Sequence, residues 1–151
     1  MNQELMDMIA FDIKTADGDL HGLPATDSEI ETAEQILGVK FNADYIQFIK
    51  AFGGAFGGIE IHAFNNGSLI GNATVTELTE RFRENYLENA GERWRDAYVI
   101  SDDGAGNPVL MTAEGALHLY LHETGETELL YESLDQLLNQ TFPFSTPRPA
   151  K

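Results

Sequence analysis

Residues 28–54 read SEIETAEQILGVKFNADYIQFIKAFGG, and this stretch decides the fold more than any other part of the chain. It predicts two consecutive amphipathic helices, each with its own start and stop signals. Thr26 caps the first helix, and Glu29, three residues later, completes a capping box. Apolar residues then recur at helical spacing, at Ile30, Ala33 and Leu37. Gly38 ends this helix, because glycine tolerates the left-handed conformation that follows a last helical turn.

The second helix of this stretch is specified in the same way. Asn42 is a favourable cap residue, and Gly53 with Gly54 ends the helix. The apolar side chains form a single stripe at Tyr45, Phe48, Ile49 and Phe52. Neither helix carries a group of reactive side chains. The segment is therefore built for packing, which favours a binding module over an enzyme.

Three more helices are predicted outside this stretch. They span residues 2–13, a longer run from Thr74 or Thr76 to about Asn89, and residues 133–138. In the long helix Leu78, Phe82 and Tyr86 recur at intervals of four, which makes one face apolar. The glycine-rich run at 53–58 is interpreted as a helix stop and a flexible connector.

The second half of the chain predicts a β-meander. Short apolar runs alternate with Gly-containing turns, which is typical of sequential antiparallel strands. The predicted strands are at 59–64 and then at about 97–101, 107–112, 116–122 and 127–131. The sequence thus predicts an α+β fold, with helices packed on an antiparallel or mixed sheet of about five strands. Its length predicts one domain over 1–151, with a core at about 26–142 and an irregular tail at 143–151.

The chain is strongly acidic, with 25 Asp and Glu against 9 Lys and Arg and a formal net charge of −16. Such a surface repels nucleic-acid phosphates and anionic lipid, and it attracts basic proteins, of which nucleases are one class. Solubility alone is the alternative reason for the charge. The charge therefore predicts a basic protein partner, with no nucleic-acid partner and no membrane partner.

Cysteine is absent, which excludes disulfides, thiolate metal sites and a cysteine nucleophile. No run approaches the roughly 18 consecutive apolar residues of a membrane span. The opening residues, MNQELMDMIAFDIK, lack the basic and apolar regions of a signal peptide. These features predict a cytoplasmic protein.

Two histidines are the leading candidates for chemistry. His118 and His122 flank Tyr120 in the segment HLYLH, and on a strand these three side chains share one face. A zinc site needs a third or fourth ligand, and the neighbouring Glu123 and Glu128 have no spacing that supplies one. The alternative interpretation is an exposed strand face with polar and aromatic residues. No cofactor and no metal are predicted.

Other patterns do not reach a known reactive motif. Residues 102–107, DDGAGN, place glycines where a calcium loop has its second and third oxygen donors, so a tight turn is favoured. The glycine run at 53–58 lacks the ending of a phosphate-binding loop. No G-x-S-x-G motif is present. The chain is therefore predicted to have no catalytic residues and not to be an enzyme.

Several short motifs follow one another in a characteristic order. The first comprises Glu34, Leu37-Gly38, Phe41-Asn42, Asp44-Tyr45, Phe48-Ile49 and Gly53-Gly54. A strand, a turn rich in Gly and Asp, and a second strand follow at 98–111, and then come Glu114-Gly115 and the helix at 133–138. In this order the motifs resemble the SMI1/KNR4 (SUKH) superfamily over about residues 26–142. Phe41-Asn42 departs from the usual Leu-Pro of that family.

The resemblance implies a bacterial immunity protein that neutralises a cognate toxin, often a nuclease, by steric and electrostatic blocking without turnover. Exposed acidic residues are the predicted contacts: Asp102 and Asp103 in a strand turn, and Glu80 and Glu84 on the long helix. Two alternatives stay open: a small-molecule or metal site built on His118, Tyr120 and His122, and a regulatory scaffold. The sequence does not predict the toxin's identity or the oligomeric state.

Overall fold

The computed structural model describes residues 1–15 and 20–142. Its helices are α1 (Gln3–Thr15), α2 (Asp27–Leu37), α3 (Ala43–Phe52), α4 (Val75–Asn85), α5 (Leu87–Ala90) and α6 (Leu134–Thr141), with a 3-10 turn at Glu92–Trp94. Its strands are β1 (Ala55–Phe56), β2 (Glu60–Ile61), β3 (Tyr98–Asp102), β4 (Pro108–Met111), β5 (Leu117–Leu121) and β6 (Glu126–Tyr131). The predicted tail at 143–151 lies outside the described residues.

The strands form two antiparallel sheets. β1 and β2 make a small hairpin, and β3, β4, β5 and β6 make a four-stranded sheet in sequence order. Short turns between successive strands account for this order, because they leave no length for a crossover. The predicted α+β class is confirmed.

Helices α2 and α3 have the caps that the sequence predicts. The Thr26 hydroxyl accepts from the Glu29 N–H at 3.1 Å, and the Glu29 carboxylate accepts from the Thr26 N–H at 3.0 Å. Gly38 has φ of 68°, which is the left-handed conformation expected after α2. The Asn42 side chain accepts from the Asp44 N–H at 3.0 Å and starts α3. These local hydrogen bonds fix both ends of the stretch at 28–54.

Both faces of the four-stranded sheet are covered along β3, β4 and much of β5, whereas β6 is largely exposed. Helices α1, α3 and α6 cover one face and form the larger core, to which they contribute Leu5, Ile9, Phe48, Ile49, Leu134 and Leu138. Helices α4 and α5 with the 3-10 turn cover the other face, and their Phe82, Leu87 and Trp94 pack on Val99, Leu110 and Tyr120. The sheet is therefore the middle layer of three.

Two predicted elements are shorter than expected. The predicted strand at 59–64 is reduced to β2, because the backbone beyond Ile61 has other partners: His62 N–H donates to the Ile100 carbonyl at 2.8 Å, and Ala63 N–H donates to the Asn66 side chain at 2.9 Å. The predicted long helix is divided at Tyr86, whose φ of −133° breaks the helical ladder between α4 and α5.

The run at 53–58 contains β1 and the start of the tight turn to β2, so it is part of a packed hairpin and the expected flexible connector is wrong. A Cβ atom at Gly57 would lie 2.7 Å from Ile61 Cδ1, and one at Gly58 would overlap the Thr141 side chain. Glycine is needed here because α6 and β2 leave no room for a side chain. The glycines thus serve packing.

Candidate functional site

The turn between β3 and β4 carries the two predicted aspartates, and both are exposed. Asp102 Oδ1 accepts from the Gly104 N–H at 2.7 Å. Asp103 accepts from the N–H groups of Ala105 and Asn107, at 2.8 and 3.1 Å, and from the Asn107 side chain at 2.8 Å. Both carboxylates therefore shape the turn and still face solvent.

The hydrogen bonds at this turn also keep Asp103 ionised. Partial burial works to raise the pKa of Asp103, but the hydrogen bonds from Asn107 and from the N–H of Ala105 outweigh it and lower the pKa below its usual range. The turn thus presents a negative charge in a fixed position at neutral pH.

The turn between β5 and β6 lies beside the turn between β3 and β4. The His122 backbone N–H donates to Asn107 Oδ1 at 3.0 Å, and the His122 ring Nδ1 lies 2.6 Å from the same oxygen. Since that oxygen is an acceptor, Nδ1 carries the proton. Gly106 packs against the His122 ring. The turns after β3 and β5, which we call the paired turns, therefore form one end of the sheet, where Asp102, Asp103 and Glu123 are exposed.

The two predicted glutamates on the long helix occupy a different element. Glu80 and Glu84 are exposed on the outer side of α4. The end of α4 approaches the paired turns, since the Tyr86 ring lies 6.1 Å from the His122 ring. The four predicted acidic residues thus occupy two exposed surfaces, the turn after β3 and the outer side of α4.

The three side chains of the HLYLH segment do share a face, as the sequence predicts, but helices cover that face. Tyr120 is only 1% exposed and packs against Phe82 and Tyr86, with ring centroids 5.5 and 5.2 Å apart. His118 packs edge-on against Trp94 at 4.9 Å. The alternative interpretation of an exposed strand face is therefore wrong.

The surroundings of His118 disfavour a charged ring. Burial, and secondarily the nearby Arg93, lower the pKa of His118 below its usual value. His122 is held by Asn107, on the other side of Tyr120. Within residues 1–15 and 20–142, no three His, Cys, Asp or Glu side chains converge in a way that would hold a metal ion.

The acidic charge is concentrated in one part of the chain. Residues 97–142 contain no Lys or Arg. They contain the acidic residues Asp102, Asp103, Glu114, Glu123, Glu126, Glu128, Glu132 and Asp135. Among the described ion pairs, which join Asp44 to the N-terminus, Lys50 to Asp27 and Arg95 to Glu92, none includes these acids. The sheet and α6 therefore contribute eight acidic side chains and no Lys or Arg of their own, and we call residues 97–142 the acidic sheet region.

Sequence reasoning missed part of this region. Of the acids of β6, Glu128 was considered only as a metal ligand and Glu126 was not considered, although both are exposed on the last strand of the sheet. The signal that would have found them is the long run without Lys or Arg.

Comparison with protein families decides what kind of protein this is. The model of the SMI1 / KNR4 family (SUKH-1) matches residues 24–140. The chain belongs to this family. A search of the curated proteins and a search of the solved structures each returned no significant match. The resemblance over about residues 26–142 is thus confirmed by a match that covers most of the chain.

The residues that carry the SMI1/KNR4 signature hold the layers together. Glu34 Oε2 accepts from the Phe41 N–H at 2.8 Å, across the end of α2. The Tyr98 hydroxyl accepts from the Asn42 N–H at 2.7 Å and donates to the Met111 sulfur at 3.0 Å. Asn42, which replaces the proline of the family, therefore joins the start of α3 to the sheet.

An aromatic cluster completes this junction. The Phe41 ring lies 5.4 Å from Tyr45 and 4.7 Å from Tyr98. Burial, with the neighbouring Tyr98 as the smaller cause, raises the pKa of Tyr45 well above its usual value, and its hydroxyl donates to the His62 carbonyl at 2.6 Å. Both tyrosines are neutral structural donors, so the signature of the SMI1/KNR4 family describes a scaffold.

The surface of this SMI1/KNR4 domain has no membrane-crossing element in the part that the structure describes. None of the helices within 1–15 and 20–142 is both long enough and apolar enough to span a bilayer.

Proposed function

We propose that this protein is an immunity protein that binds and neutralises a cationic toxin domain of the nuclease type in the cytoplasm. Members of the SMI1/KNR4 family are generally immunity proteins and not enzymes, which supports this role. The observation that carries the proposal for this chain is the acidic sheet region, in which residues 97–142 hold eight acids and no Lys or Arg.

The charge of the region suits a nuclease partner. A nuclease must present a positive groove to hold a phosphate backbone. An acidic surface of fixed shape is attracted to that groove from a distance and competes with the nucleic acid for the same positive side chains. Neutralisation then results from occlusion of the groove, and no bond is made or broken.

The predicted contacts suit this role for a physical reason. Asp102 and Asp103 are exposed, yet the turn already holds their carboxylates. Because these side chains are ordered before binding, they lose little conformational freedom when a partner arrives. Glu80 and Glu84 on α4 would extend the same negative surface. This surface binds protein and leaves nucleic acid and membranes unbound.

The test uses the toxin domain encoded in the open reading frame adjacent to this gene. Association is followed by stopped-flow fluorescence across a range of salt concentrations, and inhibition is followed by cleavage of the toxin's nucleic-acid substrate. We expect an association rate constant of about 10⁸ M⁻¹s⁻¹ or more at low salt that falls steeply as salt is added, with complete loss of cleavage at equimolar protein.

Charge-neutral variants supply the matched comparison. Both Asp102→Asn and Asp103→Asn remove a charge. Asp102→Asn keeps an oxygen for the Gly104 N–H, whereas Asp103→Asn keeps one for the backbone N–H groups of the turn but loses the second oxygen, which accepts from the Asn107 side chain. Both variants should slow association, whereas Glu31→Gln on the exposed part of α2 should slow it much less. Absence of a complex, or a rate that does not respond to salt, would refute the proposal.

A further inference from the structure

The two edge strands of the four-stranded sheet, β3 and β6, differ in whether their outer backbone groups have hydrogen-bond partners. The outer edge of β3 is closed: the Val99 N–H donates to the Thr79 hydroxyl of α4 at 2.9 Å, and the Ile100 carbonyl accepts from the His62 N–H beyond β2 at 2.8 Å. Both groups are buried, so these bonds satisfy them where water cannot. The fold therefore protects this edge from any further strand.

The outer edge of β6 has no such protection among residues 1–15 and 20–142. β6 pairs with β5 on one side and with no other strand described by the structure. Glu126, Glu128 and Leu129 are exposed, and Leu129 retains 55% of its surface. β6 has six residues, and no strand among the described residues pairs with the backbone donors and acceptors on its outer side. Such an edge is a template for another extended segment.

The two faces of β6 differ in chemistry. Glu126 and Glu128 lie opposite Leu121 and Leu119 of β5 and therefore share their face. Thr127 and Leu129 lie opposite Tyr120 and His118. They share the face of the sheet that α4 and Trp94 cover at β3, β4 and β5. One face of the edge is thus acidic, and the other offers an exposed leucine at the margin of a hydrophobic core.

The charge of β6 excludes a second copy as the natural occupant. Two β6 strands paired edge to edge would bring Glu126 and Glu128 of both copies onto a single seam, and opposed like charges in a sheet are destabilising. The 46-residue region from 97 to 142 has no Lys or Arg that would offset them. The same charges favour a strand with basic side chains.

We infer that an extended segment of the cationic toxin adds to the free edge of β6 as a fifth strand. Its backbone pairs with the outer N–H and C=O groups of residues 126–131. Its side chains alternate, with Lys or Arg beside Glu126 and Glu128 and apolar residues beside Thr127 and Leu129. This inference rests on the proposed function and names where the toxin is held.

The first experiment is hydrogen exchange on the full chain, free and in complex with the toxin domain of the adjacent reading frame. In the free protein, the outward amides of 126–131 exchange fast. In the complex, about half of the amides in 126–131 become protected, because alternate N–H groups of a strand point outward. Slow exchange already in the free protein would overturn the inference.

The second experiment compares Glu128→Lys with Glu31→Lys. The two substitutions change the net charge by the same amount, and both sites are exposed. Only Glu128→Lys places a positive charge beside the arriving strand. We expect it to weaken toxin binding about tenfold more than Glu31→Lys does, mainly through faster dissociation. Circular dichroism of both variants checks that the fold is retained.

The outcomes separate this inference from the proposed function. The toxin could bind tightly and be neutralised while protection from hydrogen exchange appears only at the paired turns or on α4 and the two lysine variants have equal effects. That result would overturn the β6 site and leave the immunity role intact. If no complex forms with the toxin domain, the immunity role and the β6 site are both refuted.

Discussion

Thr79 offers a direct test of how the edge of β3 is closed. Its hydroxyl donates to the Val75 carbonyl within α4 at 2.8 Å and accepts from the Val99 N–H of β3 at 2.9 Å. Thr79 is fully buried and Val99 is 2% exposed, so water cannot replace the hydroxyl. Thr79→Val keeps the shape of the side chain and removes the only oxygen.

The expected cost follows from the group left behind. The Val99 N–H becomes a buried donor without an acceptor, which costs about 1–3 kcal/mol. The methyl group that replaces the hydroxyl adds some apolar contact, so we expect the loss of free energy of unfolding to lie in the lower half of that range. For a domain of this size, each kcal/mol corresponds to a fall of about 2–4 °C in melting temperature.

The measurement is urea unfolding followed by the fluorescence of Trp94, which is buried beside α4. Thr76→Val on the same helix is the control, because Thr76 is half-buried at the helix surface, and its cost should stay within about 0.5 kcal/mol. A loss of free energy of unfolding in Thr79→Val no larger than in the control would refute the argument. Thr79→Ser, which keeps the hydroxyl, should lose less than Thr79→Val.

Three further predictions concern stability. Gly38→Ala should cost about 1 kcal/mol in free energy of unfolding, measured with urea. Gly38 has φ of 68°, and a Cβ there meets no atom within 4 Å, so backbone strain is the sole penalty. An unchanged unfolding midpoint would contradict this. Tyr98→Phe should cost about 1–2 kcal/mol by the same assay, because the Asn42 N–H loses its acceptor, and a neutral result would show that water replaces it. The pKa of His118 is lowered in the folded state from about 6.5, so the unfolded chain binds the proton more readily. The free energy of unfolding should therefore fall as the pH drops from 7 to 5. His118→Phe should flatten that part of the pH profile, and an unaltered slope would rule His118 out as the cause.

The accuracy of the sequence-based predictions differs between the elements. The ends of α2 and α3 were predicted correctly because each cap joins residues two or three positions apart. The strand at 59–64 and the unbroken long helix were wrong, because His62 binds β3 and because Tyr86 leaves the helix. For the strand, the partner that decides the outcome is distant in the sequence, since the His62 N–H donates to the Ile100 carbonyl. For the helix, the change is in the backbone of Tyr86, whose φ is −133°.

In the candidate site, too, some features were predicted correctly and others were not. Asp102, Asp103, Glu80 and Glu84 were expected to be exposed, and they are, since charged residues in a turn or on the polar side of a helix rarely find a buried place. Their role in binding a toxin remains a prediction. The covered face of Tyr120 was not foreseen, because alternation along a strand tells which side chains share a face and not what lies over it.

The sequence alone determined the order of the main helices and strands, the capped ends of α2 and α3, the family and the net charge, because each depends on neighbouring residues or on a simple count. The tertiary structure alone decided that β3 and β4 are covered on both faces and that the two turns meet at Asn107 and His122. It also decided that β3 has a closed edge, while the outer edge of β6 has no partner strand in the described residues. Those properties arise when segments far apart in the chain come together, since an edge is closed or open only with respect to what else packs beside it.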